Sequence, residues 1–174
     1  MTGARYRVWQ FGRLLTARLP AEALAEVRRW LTPPLFELFC RMTPGEQYHA
    51  YCVRQTLMKQ GHANRDLLTA ALLHDVGKSK MPLAVWEKVA IVLGFKFVPQ
   101  LAEGWGKTET VQPSWFARPF VVAVQHPAWG ADMVQAAGGS PVAVALIRHH
   151  QSKSEDAYAE LEWLPALQVA DNSN

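Results

Sequence analysis

Strand signals are scarce in this chain, which leaves little room for a sheet. Cysteine is nearly absent: Cys40 and Cys52 are the two among 174 residues. They form no CxxC pair, and neither stands at a zinc-ligand spacing from a histidine, which excludes a disulfide scaffold and a thiolate zinc knuckle. Two reduced, buried thiols in a reducing cytosol are expected. A long apolar run is also missing. The most hydrophobic stretch, Val85 to Leu101, is broken by Glu87, Lys88, Gly94 and Lys96 and falls short of the ~20 clean apolar residues of a spanning helix. Arg5, Arg7 and Arg13 lead into no apolar segment with a cleavage site, so no secretory leader is read. These absences predict a soluble, cytoplasmic protein. The net charge of +3 fits a pocket for an anionic substrate and is too small to argue for duplex nucleic acid.

What is present is ordinary globular material, 49% hydrophobic and 19% charged, at a length that suits one domain. Helix punctuation recurs. Pro20 opens a helix over Ala21–Leu31 that closes before Pro33-Pro34. Thr43-Pro44-Gly45-Glu46 has the form of an N-cap, a first-turn proline and a capping-box glutamate, starting a helix that reaches about Lys59 and stops at Gly61. Asn64 caps the next, Arg65 to Val76, which ends at Gly77. Pro82 opens another, to about Leu93. Gly104–Pro119 reads as the longest irregular connection. Pro127 opens a helix to Gly138-Gly139, Ser140-Pro141 starts one to about Gln151, and the last lies between Asp156 and Ala170, with Pro165 expected to kink or divide it. The result is an all-α bundle of about seven helices. Residues 1–40 are expected to form a helical extension packed on a core domain over 41–174.

Six histidines occur: His49, His62, His74, His126, His149 and His150. Leu67-Leu68-Thr69-Ala70-Ala71-Leu72-Leu73 is almost wholly apolar, so His74 and Asp75 stand at the end of a buried helix. A carboxylate there is costly unless a partner or a cation compensates it. Taken alone, an inward histidine is more often a hydrogen-bonded core residue and an inward aspartate a cap. His49 lies near the start of the preceding helix, however, and a short loop, Gln60-Gly61-His62-Ala63, joins the two. Antiparallel packing brings His49 to His74.

The segment Leu72-Leu73-His74-Asp75-Val76-Gly77-Lys78 resembles the HDxGK signature of the HD superfamily of metal-dependent phosphohydrolases. His49, His74-Asp75 and Asp171 match the family order, and Leu167-Gln168-Val169-Ala170-Asp171 resembles its final ligand helix. His126-Pro127-Ala128-Trp129-Gly130-Ala131 and His149-His150-Gln151 resemble the HPxxGA and HHE elements of the HD-GYP branch. Gln151 replaces the glutamate and no Gly-Tyr-Pro follows, which puts cyclic-di-GMP cleavage in doubt. The resemblance implies two divalent ions of manganese, iron, nickel or cobalt, with magnesium or zinc as alternatives. The first would take His49, His74, Asp75 and Asp171, and the second Asp75, His126, His149 and His150. One of the adjacent histidines could instead face substrate, since neighbours on a helix point ~100° apart.

The function so implied is hydrolysis of a phosphoester, of a nucleotide or cyclic nucleotide, by a metal-activated water. Asp75 and Lys78 would be catalytic, and Lys78 and His150 would bind the phosphorylated small molecule. The alternatives are an inert ligand-binding or signalling module and a di-iron oxygenase. Glu46 reads as a cap rather than a further ligand, Trp9, Trp30 and Trp86 as core, and His62 as solvated. Gly77 is expected to ease a tight turn. The helix from Pro82 is expected to pack over the site, with contact to a membrane or partner as the alternative.

Overall fold

The computed structural model describes residues 17–108, 113–152 and 161–174. Among them are nine α-helices and no strand: α1 Ala21–Trp30, α2 Pro33–Arg41, α3 Pro44–Lys59, α4 Arg65–Leu73, α5 Val85–Phe97, α6 Pro99–Gly106, α7 Arg118–Ala136, α8 Pro141–His149 and α9 Leu164–Ser173, with a 3-10 helix at Val76–Lys80. Every residue of α4 from Leu67 to Leu73 is buried, as a helix apolar on all sides requires. It is the axis of the bundle. Val53 and Leu57 of α3, Leu146 and Ile147 of α8, and Leu164 and Leu167 of α9 close around it in one core with Val27 of α1 and Phe39 of α2.

Local chemistry sets the ends. Thr43 and Glu46 exchange backbone and side-chain hydrogen bonds in a capping box, the role expected of Glu46. Asn64 Oδ1 accepts from the amides of Asp66 and Leu67 at 2.9 and 3.0 Å. Ser140 Oγ caps α8, accepting from Ala143 N, and donates to Asp66 Oδ1 at 2.6 Å, which ties the starts of α8 and α4 together.

Several expectations are corrected. Pro33-Pro34 does not merely end a helix; it opens α2. The helix after Pro82 runs on to Phe97, and a further helix, α6, starts at Pro99 and takes in residues 104–106, the first of the stretch that reads as irregular. Pro127 lies inside α7, which begins nine residues earlier at Arg118. Pro165 sits in the first turn of α9, where no amide donor is needed, and kinks nothing. Cys40 is exposed and Cys52 half-buried, and Trp86 is exposed rather than core. Trp9 and the rest of residues 1–16, together with 109–112 and 153–160 of the expected loop and last helix, lie outside the described residues.

Candidate metal centre

Five helices deliver side chains to one point. His49 comes from the second turn of α3, His74 from the C-terminal cap of α4, Asp75 from the link to the 3-10 helix, His126 from the middle of α7, His150 from the end of α8 and Asp171 from α9. The imidazole of His74 stands between those of His49 and His150, with ring centroids 5.4 and 5.2 Å away, and His150 is 5.2 Å from His126. His49 Nε2 is 2.8 Å from Asp171 Oδ1, and His74 Nε2 is 3.4 Å from the same oxygen and 3.7 Å from Asp75 Oδ2. His126 Nε2 is 3.4 Å from Asp75 Oδ1.

The backbone locks three of these rings. His74 Nδ1 donates to Ala71 O at 3.0 Å, His150 Nδ1 to Ile147 O at 2.7 Å, and His126 Nδ1 to Val122 O and Ala123 O at 2.9 and 3.1 Å. Pro127 explains the last contact. Having no amide hydrogen, it frees Ala123 O, its i−4 acceptor, and the neighbouring imidazole takes that place. Each ring thereby turns Nε2 inward, the orientation typical of ligating histidines. His74 Nε2 and His150 Nε2 are buried with no hydrogen-bond partner. Buried polar atoms are rarely left so, and a cation between them and the carboxylates would supply what both lack.

The ligand atoms of His49, His74 and Asp75 lie within 4.8 Å of one another, as do those of Asp75, His126 and His150. Asp75 belongs to both groups. His149 joins neither; it is half-buried at the rim of the adjoining cavity. Of the adjacent histidines the structure therefore brings His150 to the cluster, its ring fixed by Ile147 O. Asp171 meets the first group through His49 and His74.

Electrostatics make the same demand for positive charge. Burial pushes the His74 imidazole down, but the carboxylates of Asp75 and Asp171 outweigh it and raise it to about 9. Burial likewise pushes Asp75 up, and Lys78, His74 and His126 hold it well below the usual carboxylate range. Burial, with His74 and His126 nearby, lowers His150 to about 3. So at neutral pH a proton on His74 and the Lys78 ammonium, 2.7 Å from both Asp75 oxygens, occupy the positions where positive charge is wanted.

Glycine determines how closely these pieces approach. A Cβ at Gly77 would overlap His126 O and stand 2.7 Å from Gly130 N, and a Cβ at Gly130 would lie 3.1 Å from Gly77 N. The glycines of the HDVGK and HPAWGA segments thus face each other where the 3-10 helix crosses α7. Positive φ angles occur at Gly61 and Gly138 and not at Gly77, so close approach rather than a tight turn requires glycine there.

The cluster opens into a cavity of about 1100 Å³. Lys78, Lys88, Arg148 and Gln151 line it. Sequence reasoning missed Lys88 and Arg148. For Lys88 a signal exists: with Ile91, Val92 and Phe95 it forms an i, i+3, i+4, i+7 stripe, and all four line the cavity.

The sequence model of one family, described as HD domain, matches residues 47–172, from α3 through α9. No curated protein and no solved structure matches the chain.

Proposed function

Because the chain belongs to the HD domain family, which consists mostly of metal-dependent hydrolases, we propose that it hydrolyses a phosphoester in the cavity beside the histidine–aspartate cluster. The observation that carries this reading is the set of backbone-locked imidazoles whose unpartnered Nε2 atoms converge on a shared buried carboxylate. His49, His74, Asp75 and Asp171 would hold one divalent ion, and Asp75, His126 and His150 a second. Bound there, such ions would supply a Lewis acid for phosphoryl oxygens and an acidified water as nucleophile.

The remaining work falls to the chain itself. Ala71 O, Val122 O and Ile147 O hold the imidazole planes, so no reorganisation is needed when a ligand arrives. Lys78 keeps Asp75 ionised and offers its ammonium to phosphate charge on the cavity side. His149 and Gln151 also line the cavity. That neither Cys40 nor Cys52 is in a disulfide suits a cytoplasmic setting. A nucleotide substrate rests on the motif resemblance alone.

The test is metal analysis of the purified chain followed by assays on p-nitrophenyl phosphate and bis(p-nitrophenyl) phosphate. Divalent metal near stoichiometric amounts and turnover of at least one ester are expected, with Asp75→Ala losing both. Turnover that survives in Asp75→Ala would refute the site, and bound metal without any turnover would make the chain a ligand-binding module.

A further inference from the structure

Helix α5 is apolar on more faces than the fold uses. Glu87 and Gly94 face inward, Glu87 toward Arg118 of α7 and Gly94 against the Phe120 ring. A second stripe, Lys88, Ile91, Val92 and Phe95, lines the cavity. The third, Trp86, Val89, Leu93 and Phe97, faces outward and is 54%, 42%, 49% and 69% exposed. Val98 and Leu101 beyond it and Trp115 and Phe116 before α7 are exposed as well, and Trp86 and Trp115 are in ring contact. A helix apolar all round is buried by something, and a contiguous patch of this extent marks an interaction surface.

The cavity stripe reads as a mould for an amphiphile. Lys88, its ammonium 3.5 Å from Glu46 Oε1, stands at the end nearest the histidine–aspartate cluster, and the hydrocarbon side chains of Ile91, Val92 and Phe95 follow it, with Val122 and Val124 of α7 also lining the cavity. From residue 88 to 95 the helix rises about 10 Å. This wall offers a cation for a phosphate and then apolar surface, with no side-chain donor or acceptor from Ile91 to Phe95 to read the edge of a base.

From this we infer that the substrate is an amphiphilic phosphoester, a phosphate bearing a hydrocarbon chain, taken from a lipid surface on which the outward face of α5 rests. The proposal rests on phosphoester hydrolysis at the same site and narrows its substrate class. Val92 and Phe95 belong to both the exposed patch and the cavity wall. Whatever covers the patch therefore borders the cavity mouth, and a lipid phase is an occupant that also delivers the substrate. Lys96, whose ammonium lies 5.3 Å from the Phe97 ring, places a cation beside an exposed apolar residue, as interfacial helices do. At 13 residues α5 is too short to cross a bilayer and suits lying on one. In the reaction water adds to phosphorus, the P–O bond to the leaving alcohol breaks, and that oxygen leaves with a proton.

Two readouts test it. The first needs no catalysis: the full chain is sedimented with vesicles of equal parts phosphatidylcholine and phosphatidic acid. The wild type is expected in the pellet, and Trp86→Asp and Phe97→Asp in the supernatant with unchanged thermal midpoints. The second follows KM across ethyl, butyl, hexyl and octyl phosphates and the matching alkyl p-nitrophenyl diesters. For whichever series turns over, KM should fall roughly two- to fourfold per methylene, and Ile91→Ser should flatten that slope. A KM independent of chain length, a nucleotide preferred over the octyl ester, or a wild-type chain that stays in the supernatant, as monomer or dimer, would each overturn the proposal. Failure on every ester would instead sink the hydrolase reading, while vesicle binding would still report on α5.

Discussion

At the scale of single residues, two dipeptides show how the site is shaped. In His126-Pro127 the proline removes an amide that Ala123 O would have used, and the imidazole fills the vacancy and is thereby aimed. In Gly77-Lys78 the glycine admits α7 to within contact of the 3-10 helix, and the lysine neutralises Asp75. The glycine gives a sharp prediction. Gly77→Ala places a methyl against backbone atoms of His126 and Gly130 that no side-chain rotation can move. A loss of about 1–3 kcal/mol and a thermal midpoint lower by roughly 2–12 °C are expected by circular dichroism, with reduced metal content. Gly104→Ala, where a Cβ meets nothing within 4 Å, serves as the contrast. It should hold or raise the midpoint, because alanine favours a helix over glycine.

At the scale of elements, what could be read from the sequence divides by mechanism. The α3–α4 hairpin was legible because its caps are local chemistry, Thr43 with Glu46 and Asn64 with Asp66, and its apolar run is continuous. The convergence of His49, His74, Asp75, His126, His150 and Asp171 was legible through the resemblance of their motifs to the HD pattern. The inner partner among His149 and His150 was not, since it depends on where α8 ends and which carbonyl Nδ1 finds. Pro127 and Pro33 misled for one reason: a proline reads as a boundary, and only tertiary partners show whether its missing donor is tolerated inside a helix or starts a new one. The exposure of Trp86 and Cys40 depends on what packs opposite them, which spacing does not encode. Packing between elements also explains the need for α1. Its Glu26 accepts from Arg54 Nη1 at 2.6 Å and from Tyr51 Oη at 2.8 Å, both on α3. The Arg54 guanidinium, 2% exposed, lies 4.8 Å from the Trp30 ring. Glu26→Ala strands that buried cation. Because Glu26 itself is about one-third exposed, a loss of about 2–3 kcal/mol is expected, below that of a fully buried pair, read as a lower urea midpoint with an unchanged m-value. A loss under half that size would show that Trp30 and solvent suffice for Arg54.

At the scale of the molecule, the cluster joins helices distant in sequence, so its charge balance bears on global stability. In metal-free protein the His74 imidazolium compensates Asp75 and Asp171. Its folded pKa of about 9 lies above the 6.5 of an unhindered imidazole. The stabilisation it gives is therefore fully present below pH 6.5 and is lost as pH rises through 9. A divalent ion bound there would replace that proton and remove the dependence. Its binding would release a proton from His74, whereas His150, already neutral at pH 7, would release none, so apparent metal affinity should climb by up to about tenfold per pH unit toward pH 9. Thermal denaturation with chelator and with manganese at pH 6.5, 7.5 and 9 separates these effects. At a metal concentration about a hundredfold above Kd the gain is about 2.7 kcal/mol, or roughly 5–10 °C in midpoint for a chain of this size. The chelated midpoint should fall between the lowest and highest pH while the metal-loaded one holds. Parallel curves with and without metal would mean that the five helices meet at His74 and Asp75 without a cation between them.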